Sequence, residues 1–457
     1  MKKFIVFLFI LSFSSSVSSE NIYLFGNVGA SDFQIKNKDK TDIDTKLTNL
    51  GFSSASTSVN SDNFSYELGL GVVLPLLRIG IEASIIDYGE IKFTSTTTSP
   101  SETINTNVPI KGVALDILKK HKVDILFEAI GQSDGVSKKV VETALKDGIH
   151  VVTPNKALIS KHGNNLSKLA EKNNVNLEFE ASVAGGIPIL RSIKEGLATN
   201  KISKVYGILN GTSNYILTEM ENSNKNFSDV LKKAQQLGYA EPGNPKLDLN
   251  GFDAFAKVRI LSSLAFNSKI SKHKCLMEGI EKIELKDIKI ANQLDLRVKL
   301  LGISELKNNQ LFETVHPCLV SKKSYIGNVN GVMNAVIIEG KPVGESILQG
   351  EGAGPGPTSS ALLSDLLSIL RGNIKKPLGI SVSKLKSLKP YNLNNYVNSL
   401  YLRFEVKDKP GVLSQITNRL AKYKISIKRI IQTPDKKNNK ATIVIISHKT
   451  SELNCSN

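Results

Sequence analysis

The sequence predicts an α/β fold built on a parallel, doubly wound sheet, and three consecutive segments carry this prediction. Residues 123–130 are a continuous apolar run, which is typical of a strand buried in a parallel sheet. Residues 136–146 show the apolar spacing of an amphipathic helix that ends at Gly148, and residues 149–153 have the composition of the next strand. Strand, helix and strand in this order form half of a Rossmann-type domain, which binds a dinucleotide at the carboxyl ends of its strands.

The other half of such a domain is not recognisable upstream of residue 123. It normally opens with a strand, a Gly-x-Gly-x-x-Gly turn and a helix, and the pyrophosphate rests on that turn. The nearest similar string, Gly69-Leu-Gly71-Val-Val-Leu74, lies in a strand-like context without a helix after it, so we reject it. We therefore expect a partial cofactor domain at residues 105–160, closed by residues 350–375. The chain is interpreted as a fusion of two unrelated coding segments or a mis-assembled gene.

Residues 1–98 differ in character from the rest of the chain. Residues 1–19 combine two lysines, an apolar core and a run of small residues, which predicts a secretory signal peptide. Residues 20–98 alternate between apolar and polar positions with interspersed glycines, a pattern that resembles the start of an outer-membrane β-barrel. Because they offer too few strands to close a barrel, we predict a β-strand fragment that does not pack against the downstream part. A Ser/Thr/Asn-rich linker at residues 94–109 would separate the two.

Composition narrows the class of protein. The net charge of +17 comes from lysines spread over 457 residues, and no dense basic block with interleaved aromatic residues predicts a nucleic-acid partner. Cys275, Cys318 and Cys455 fit neither zinc-ligand spacing nor a disulfide framework, and the six histidines are scattered. We expect no transition metal. An enzyme of this composition is expected in the cytoplasm, whereas the N-terminal segment would direct export.

The most informative stretch of the sequence runs from residue 237 to residue 257. It holds Glu241, Asp248, Asp253 and Lys257, and an apolar run at residues 258–265 follows. Asp253 and Lys257 are four apart, so on a helix they lie side by side. A surface ion pair is one reading of this spacing. The other is a site in which carboxylates crowd a lysine that holds and passes a proton.

Four further blocks have marked patterns of glycine and polar residues. They are Val151-Val-Thr-Pro-Asn-Lys-Ala-Leu158, Glu180-Ala-Ser-Val-Ala-Gly-Gly-Ile-Pro-Ile-Leu190, Gly207-Ile-Leu-Asn-Gly-Thr-Ser-Asn-Tyr-Ile-Leu217 and Gly350-Glu-Gly-Ala-Gly354 with Pro357-Thr358. The last block leads into a helix predicted at residues 359–370. Together with the stretch at residues 237–257 they resemble the homoserine dehydrogenase family, in the same order along the chain. One departure is that the loop between Glu241 and Asp248 is one residue longer than the family pattern.

The resemblance implies reversible hydride transfer between NADP (or NAD) and a four-carbon aldehyde, L-aspartate 4-semialdehyde, to give L-homoserine. It implies that Lys257 donates the proton, that Asp253 holds Lys257, and that Lys156 polarises the aldehyde oxygen. Glu241 would bind the substrate amino group, with Asp248 nearby. The resemblance also implies a set of cofactor-binding residues, which are Gly131, Lys156, Asn210, Gly211, Thr212, Gly352 and Gly354.

The block that begins at Glu180 combines one carboxylate with a glycine-bearing turn. By resemblance it holds a monovalent cation such as Na⁺, with the ligands Glu180, Val183, Gly185 and Ile187. Hard oxygen ligands suit such an ion. The alternative is a tight turn with a capping glutamate.

Residues 161–349 are expected to form an α+β catalytic domain, and residues 398–449 a smaller module. The module has the order strand, helix, strand, strand around Asp408-Lys-Pro-Gly411, with the helix predicted at residues 412–422. This order resembles an ACT regulatory domain truncated after its third strand. The resemblance implies a threonine effector and a homodimer. A generic ferredoxin-like decoration is the alternative for this module. For the whole chain, two other classes stay open: an amino-acid-binding regulatory protein with a dead catalytic domain, and an outer-membrane fragment.

Overall fold

The computed structural model describes residues 123–241, 245–273, 275–435 and 438–451, residues 115 and 118, and the backbone of six strands upstream of them. The chain divides into two compact units. The first unit comprises Met1–Glu305 and Glu313–Ser387, and the second comprises Leu306–Phe312 and Leu388–Asn457.

The strands are numbered in chain order. The upstream strands are β1 Ile22–Val28, β2 Ala55–Thr57, β3 Tyr66–Leu74, β4 Leu77–Glu82, β5 Ile91–Ser95 and β6 Thr106–Val108. The next nine are β7 Ile125–Glu128, β8 His150–Val152, β9 Leu177–Glu178, β10 Lys201–Ile208, β11 Leu276–Met277, β12 Leu296–Lys307, β13 Gln310–Ser321, β14 Met333–Lys341 and β15 Gly344–Glu351. The last six are β16 Lys389–Pro390, β17 Val397–Asn398, β18 Tyr401–Lys407, β19 Ile427–Asp435, β20 Lys440–Ser447 and β21 Thr450–Ser451.

The α-helices of the described residues are numbered in the same way. They are α1 Val136–Lys146, α2 Lys156–Lys172, α3 Ile189–Arg191, α4 Gly211–Ser223, α5 Phe227–Gln236, α6 Lys246–Leu249, α7 Phe252–Phe266, α8 Leu285–Gln293, α9 Pro355–Leu370 and α10 Val412–Lys422. A π-helical turn, Ser192–Gly196, continues α3.

The predicted doubly wound sheet is present. Strands β7, β8 and β9 pair in parallel, with Ile125 opposite His150 and Val151 opposite Leu177. Helix α1 has the bounds expected from the apolar periodicity, because its buried face repeats at helical spacing. Ile125 and Val152 pack against Leu366 and Ile369 of α9, which therefore closes this sheet from far along the chain.

The prediction that residues 20–98 pack apart from the enzyme part is wrong. Strands β1, β3 and β4 form an antiparallel run, and β4 pairs in parallel with β7 to give the order β1-β3-β4-β7-β8-β9. Ile79 lies opposite Ile125, and Glu82 lies opposite Glu128. An uncovered edge of β7 would leave a row of backbone N–H and C=O groups unpaired, and β4 pairs with them. Strands β2, β5 and β6 form a separate sheet.

The second large sheet carries the predicted catalytic part. Its strand order is β11-β13-β12-β10-β14-β15, so β10, which leads into α4, lies in its interior. Residues 204–208 and 335–339 are neighbours in this sheet, with Val205 opposite Ile338. Ile208, Leu301, Ala335 and Ile337 are buried together on one face.

The second unit contains a three-stranded antiparallel sheet in the order β18-β20-β19 with helix α10 packed on it. The bounds of α10 coincide with the helix expected from the sequence, and Leu420 packs against Ile443 and Ile445 of the sheet. The β-α-β-β order predicted for the C-terminal module is confirmed. A further short strand, β21, pairs with β17.

In the part of the chain that the structure describes, no helix combines the length and apolarity needed to cross a membrane. The predicted signal peptide at residues 1–19 lies outside the described residues. Cys275 and Cys318 are free thiols, and Cys455 is not among the described residues.

Candidate active site

Asp253 is the centre of a buried cluster of charged and polar side chains. Its Oδ2 accepts hydrogen bonds from Lys257 Nζ at 2.8 Å and from Asn210 Nδ2 at 2.9 Å. Its Oδ1 lies 3.0 Å from Lys156 Nζ. Asn210 Nδ2 also donates to Asp248 Oδ1 at 2.9 Å. The structure therefore brings together four of the predicted catalytic and substrate-binding residues with Asn210, which was predicted to bind the cofactor.

Helix starts position these side chains. Gly251, with φ +89°, precedes α7 and lets the chain turn so that Asp253 falls in the first helical turn and Lys257 one turn later. Asn210 follows β10 by two residues and caps α4, because its Oδ1 accepts the Ser213 N–H at 2.8 Å. Its amide nitrogen is left to join the two aspartates.

Lys257 is almost fully buried, at 7% exposure. Its ammonium donates to the Leu209 carbonyl at 2.7 Å and to Asp253 at 2.8 Å. A lysine ammonium has three N–H donors, so one is left to point at a ligand. The surface ion pair considered for the Asp253–Lys257 spacing does not describe this geometry, since both side chains are only 9% exposed.

The charges of the cluster shift one another's pKa. Burial alone would raise the pKa of Asp253, but Lys257 and Lys156 outweigh burial and hold it well below its usual range. The Asp253 carboxylate raises the pKa of Lys156 against the opposing effect of burial, and Asp248 and Glu241 add to it. Burial, followed by repulsion from Asp253, raises the pKa of Asp248. The cluster therefore holds two cations around one firmly ionised carboxylate.

Lys156 is the first residue of α2, just after the carboxyl end of β8. Asn155 caps the helix by accepting the Leu158 N–H at 3.0 Å. The Lys156 side chain remains 41% exposed, so one end of the cluster opens to a ligand. This is the edge of a doubly wound sheet at which cofactors and substrates bind.

Glu241 lies at the exposed rim of the site. Its carbonyl accepts a hydrogen bond from Gln235 Nε2 at 3.0 Å, and its charge reaches Lys156. Residues 242–244, in the loop that is longer than the family pattern, are outside the described residues. Asp248, in α6, is the member of the predicted substrate pair that joins the buried cluster.

The predicted cofactor glycines have different surroundings. Gly131 is exposed with φ +84°, and no atom lies within 4 Å of where a Cβ would stand. At Gly211 a Cβ would lie 2.6 Å from the Val332 carbonyl, so close packing of the protein itself requires glycine there. Thr212 Oγ1 donates to the Tyr239 carbonyl at 2.6 Å. Gly354, with φ +114°, caps α9, and Pro355 and Pro357 remove two N–H groups from the first turn of that helix.

An unpaired amide marks where a ligand group fits. Asn334 is 1% exposed, and neither its Oδ1 nor its Nδ2 has a hydrogen-bond partner. Its amide lies against Gly352, where a Cβ would meet the Asn334 Cγ at 2.2 Å, and 3.6 Å separates Oδ1 from the Cβ position of Gly211. An unpaired buried amide costs about 1–3 kcal/mol. These unpaired atoms fit the nicotinamide half of a dinucleotide, whose carboxamide offers an NH2 group as donor and a carbonyl oxygen as acceptor.

Glu180 acts as a helix cap. Its two carboxylate oxygens accept the backbone N–H groups of Leu190 at 2.8 Å and Arg191 at 2.9 Å, which satisfies the start of α3. The structure therefore shows the capping role that was considered as the alternative to a cation site. About two of the roughly four lone pairs of the Glu180 carboxylate accept no hydrogen bond from these groups. Within the described residues, no N–H group outside helices and strands donates to the carbonyls of Val183 or Gly185, whereas the Ile187 carbonyl accepts from Ile189 at 2.7 Å.

A second carboxylate beside Glu180 is expected to make stability depend on pH. Burial, with help from Glu178, raises the pKa of Asp365 from its ordinary 3.8 to about 7. The unfolded chain loses this proton near pH 4 and the folded chain near pH 7, so folding stability falls as pH rises between these values. A shift of this size corresponds to about 4 kcal/mol. We expect Asp365→Asn to flatten the decrease of Tm between pH 4 and 8.

The matched control is Ser364→Ala. The Arg191 guanidinium donates one hydrogen bond to Asp365 Oδ1 at 3.2 Å and another to Ser364 Oγ at 2.6 Å. The Ser364 hydroxyl does not titrate in this range. The Ser364→Ala chain should keep the parent pH slope in differential scanning fluorimetry. Equal slopes in the parent and Asp365→Asn would contradict the assignment.

The fold and the site together define a nicotinamide-dependent oxidoreductase with an attached regulatory module. The profile of the family described as "Homoserine dehydrogenase, NAD binding domain" matches residues 99–180, that of "Homoserine dehydrogenase" matches residues 188–367, and that of "ACT domain" matches residues 400–454. A homoserine dehydrogenase of Neisseria gonorrhoeae is 40% identical over 343 residues, which cover 74% of this chain and 78% of that protein. The chain belongs to the homoserine dehydrogenase family.

Solved structures agree with this assignment. The crystal structure of a homoserine dehydrogenase from Thiobacillus denitrificans matches with a TM-score of 0.70 at 38% identity, covering 75% of this chain and 79% of that one. A hyperthermophilic archaeal homoserine dehydrogenase mutant, solved in complex with NADPH, matches with a TM-score of 0.50 at 26% identity, covering 60% of this chain and 78% of that one.

Sequence reasoning missed two parts of the site. It predicted a cofactor contact for Asn210 but not the position of the Asn210 amide between Asp248 and Asp253. It also missed the Leu209 carbonyl, which holds Lys257. The helix-capping position of Asn210 was readable from Leu-Asn-Gly-Thr, but a backbone carbonyl leaves no signal in the sequence.

Proposed function

We propose that the cluster around Asp253 performs the proton transfer that accompanies reversible reduction of L-aspartate 4-semialdehyde to L-homoserine. The observation that carries the proposal is the single buried carboxylate that holds both Lys257 and Lys156. The bound nicotinamide cofactor supplies the hydride to the carbonyl carbon. The oxygen then needs one proton, and the remaining N–H of Lys257 is its source. In the reverse direction Lys257 accepts the proton of the alcohol.

Lys156 polarises the aldehyde oxygen in this proposal. Asp253 keeps it protonated, since the carboxylate raises the pKa of the Lys156 ammonium. A fixed positive charge stabilises the negative charge that develops on oxygen, without any rearrangement during the reaction. Lys257 and Lys156 thus divide the work between proton donation and electrostatic stabilisation, and Asp253 sets the position of both.

Glu241 and Asp248 are proposed to recognise the amino group of the substrate. Glu241 offers an exposed carboxylate at the rim, and Asp248 offers the second carboxylate oxygen that Asn210 does not occupy. An ammonium group between two carboxylates makes charge-assisted hydrogen bonds. The same pair would exclude aldehydes that lack an amino group.

The cofactor proposed is NADP or NAD, held at its nicotinamide end. Lys156, Gly131, Thr212 and the Gly352–Gly354 turn surround the carboxyl edge of β7 and β8 in this proposal, and the unpaired amide of Asn334 supports it. NADPH is the cofactor named for the archaeal relative.

A monovalent cation at Glu180, Val183, Gly185 and Ile187 is proposed as a structural ion, supported by the free lone pairs of Glu180.

The test is an assay of the purified chain with L-homoserine and NADP or NAD, followed by absorbance of the reduced nicotinamide. Homoserine-dependent reduction supports the proposal, and replacing Na⁺ by tetramethylammonium at equal ionic strength should lower the rate. The alternative is an amino-acid-binding protein with a dead catalytic part. It predicts no turnover at any cofactor concentration together with a thermal shift on adding an amino acid.

The second unit is proposed to bind an amino-acid effector such as threonine. A cavity of about 430 Å³ lies at its Asp408-Lys-Pro-Gly411 turn and is also lined by Gln432. Gln432 Nε2 donates to Asp408 Oδ1 at 3.3 Å. A carboxylate and an amide at the mouth of a small cavity suit the ammonium and carboxylate groups of an amino acid.

We also propose a homodimer that forms through the second large sheet. Half-buried apolar side chains lie on the same face as its buried core, and they include Tyr206, Ile303, Val320, Met333 and Ile347. An apolar sheet face that stays in water is an aggregation liability, whereas a two-fold interface buries it on both copies.

The expected result is a dimer of the full chain in light scattering at tens of micromolar. Replacing Ile303 and Ile347 by lysine should shift the mass toward the monomer, because two charges would face their symmetry mates across the interface. Val343→Lys is the matched control, since Val343 is exposed at the β14–β15 turn. A parent chain that stays monomeric at this concentration rules the dimer out.

A further inference from the structure

A buried glutamate that accepts four hydrogen bonds is not among the residues proposed for catalysis or for ligand binding. Glu128 ends β7 and is 1% exposed. Its Oε1 accepts from the Ile130 N–H at 2.9 Å, from Ser137 Oγ at 2.9 Å and from Asn155 Nδ2 at 3.2 Å. Its Oε2 accepts from Thr153 Oγ1 at 2.5 Å. Oε1 thus accepts three hydrogen bonds and Oε2 one, about as many in total as a carboxylate has lone pairs.

The donors come from the elements that form the carboxyl edge of the sheet. Ile130 follows β7, Ser137 lies in α1, and Thr153 and Asn155 form the turn between β8 and α2. Thr153 Oγ1 in turn accepts the Asn155 N–H at 2.9 Å. One carboxylate therefore joins two strand ends and two helix starts. Burying a charge costs free energy unless hydrogen bonds satisfy it. The four hydrogen bonds therefore hold Glu128 and its donors in fixed positions.

The turn that Glu128 holds leads directly to Lys156. Asn155 uses its Oδ1 to cap α2 and its Nδ2 to contact Glu128, the Ser137 hydroxyl and the Gln132 carbonyl. Because Lys156 is the next residue, the direction of its side chain depends on this turn. The Lys156 ammonium lies 3.0 Å from Oδ1 of Asp253, which belongs to α7.

We infer that Glu128 is a positioning residue, which fixes the Thr153–Asn155 turn so that Lys156 is held against Asp253. The inference deepens the proposed function, because it concerns the lysine proposed to polarise the aldehyde. Loss of a hydrogen bond that orients a functional side chain typically lowers affinity or activity by about 10–100-fold, as known for residues that orient metal ligands. Glutamine does not satisfy the same donors, because its amide nitrogen accepts no hydrogen bond, and in either orientation of the amide at least one donor loses its acceptor.

The test measures the Lys156 amine directly and needs neither cofactor nor turnover. The full chain is treated with an amine-acylating reagent at pH 8, and the modification rate of Lys156 is followed by peptide mass spectrometry. The exposed Lys172 at the other end of α2 serves as the internal reference. In the parent, Asp253 raises the Lys156 pKa and slows the reaction. Release of the ammonium should speed the reaction severalfold, because a larger share of the amine is then unprotonated.

Glu128→Gln and the near-isosteric Thr153→Val should both show this increase relative to Lys172. The matched control is Glu171→Gln. Glu171 also accepts hydrogen bonds from a backbone N–H and a hydroxyl, those of Val382 and Ser381, but at the far end of α2. Circular dichroism melts verify that each variant is folded. Thr153→Val keeps the test open if Glu128→Gln does not fold.

Folded Glu128→Gln and Thr153→Val chains with a parental Lys156 rate would overturn the inference. An equal increase in Glu171→Gln would also overturn it, since general loosening of α2 would then be the cause. Where turnover is measurable, kcat in Glu128→Gln should fall about 10-fold or more. If the chain shows no turnover at all, the proposed function fails while the acylation rates still decide the role of Glu128.

Discussion

Replacing Lys257 by methionine is expected to lower kcat by about 10³-fold, because general acid–base groups typically contribute about 10²–10⁴-fold. The variant removes the N–H that we propose donates to the alkoxide, and methionine is close in volume to the aliphatic part of lysine. Asp253 keeps Lys156 and Asn210 as partners, so the buried carboxylate is not left unpaired. Steady-state rates at saturating homoserine and cofactor provide the measurement.

Lys299→Met is the matched control for this prediction. Lys299 is also a buried lysine, at 2% exposure, and it lies on β12 in the same unit. Its ammonium donates to Asn214 Oδ1 at 3.0 Å and to the Val329 carbonyl at 2.5 Å, away from Asp253. Burial lowers its pKa to about 8. Its loss should change stability but not kcat. A Lys257→Met chain that keeps a tenth of the parent kcat would refute the proton-donor role.

Completing the cofactor domain is expected to tighten NADPH binding by about 100-fold. Upstream of Val123 the sequence has no strand–Gly-x-Gly-x-x-Gly–helix unit, and two prolines deplete the N–H groups at the start of α9. Charge-assisted hydrogen bonds contribute about 1.5–3 kcal/mol each, so two restored phosphate contacts account for the change. The graft places a family-type first βαβ unit ahead of residue 110, with its strand at the edge of β7 that β4 now occupies.

The surface of α9 supports this expectation. Leu363, Leu367 and Leu370 are each nearly half exposed and lie along one side of the helix, and the exposed Ile374 follows them. A second layer of helix on that side of the sheet would cover these side chains. Fluorescence titration gives the dissociation constant for the parent and the graft. A graft whose last glycine of the turn is replaced by valine is the control. Micromolar NADPH binding by the parent chain would refute the prediction.

Local pattern alone located much of the fold. The apolar periodicity of residues 136–146 and 412–422 predicted helices with the bounds observed for α1 and α10, because each helix buries a face whose spacing is written into a single segment. The start of α9 was placed too late, at residue 359, since the prolines at positions 355 and 357 obscured it. Proline is nevertheless compatible with a first helical turn, where its missing N–H has no partner to lose.

The catalytic residues were predicted individually, but their arrangement was not. Asp253 and Lys257 are one helical turn apart, and this contact follows from their spacing. The contact between Lys156 and Asp253 joins α2 to α7 and exists only because both helices begin at the same side of the fold. Asn210 and Glu180 likewise obtain their roles from helix starts that chain folding brings beside them.

The sequence by itself determined the class of the fold, the order of its modules and the residue types of the site, because these depend on local periodicity and composition. Only the tertiary structure decided that β4 pairs with β7, that Glu128 ties four segments together, and that one buried carboxylate serves two lysines. These contacts join residues distant in the chain. Their free energy depends on burial and on hydrogen-bond geometry, neither of which exists until the chain has folded.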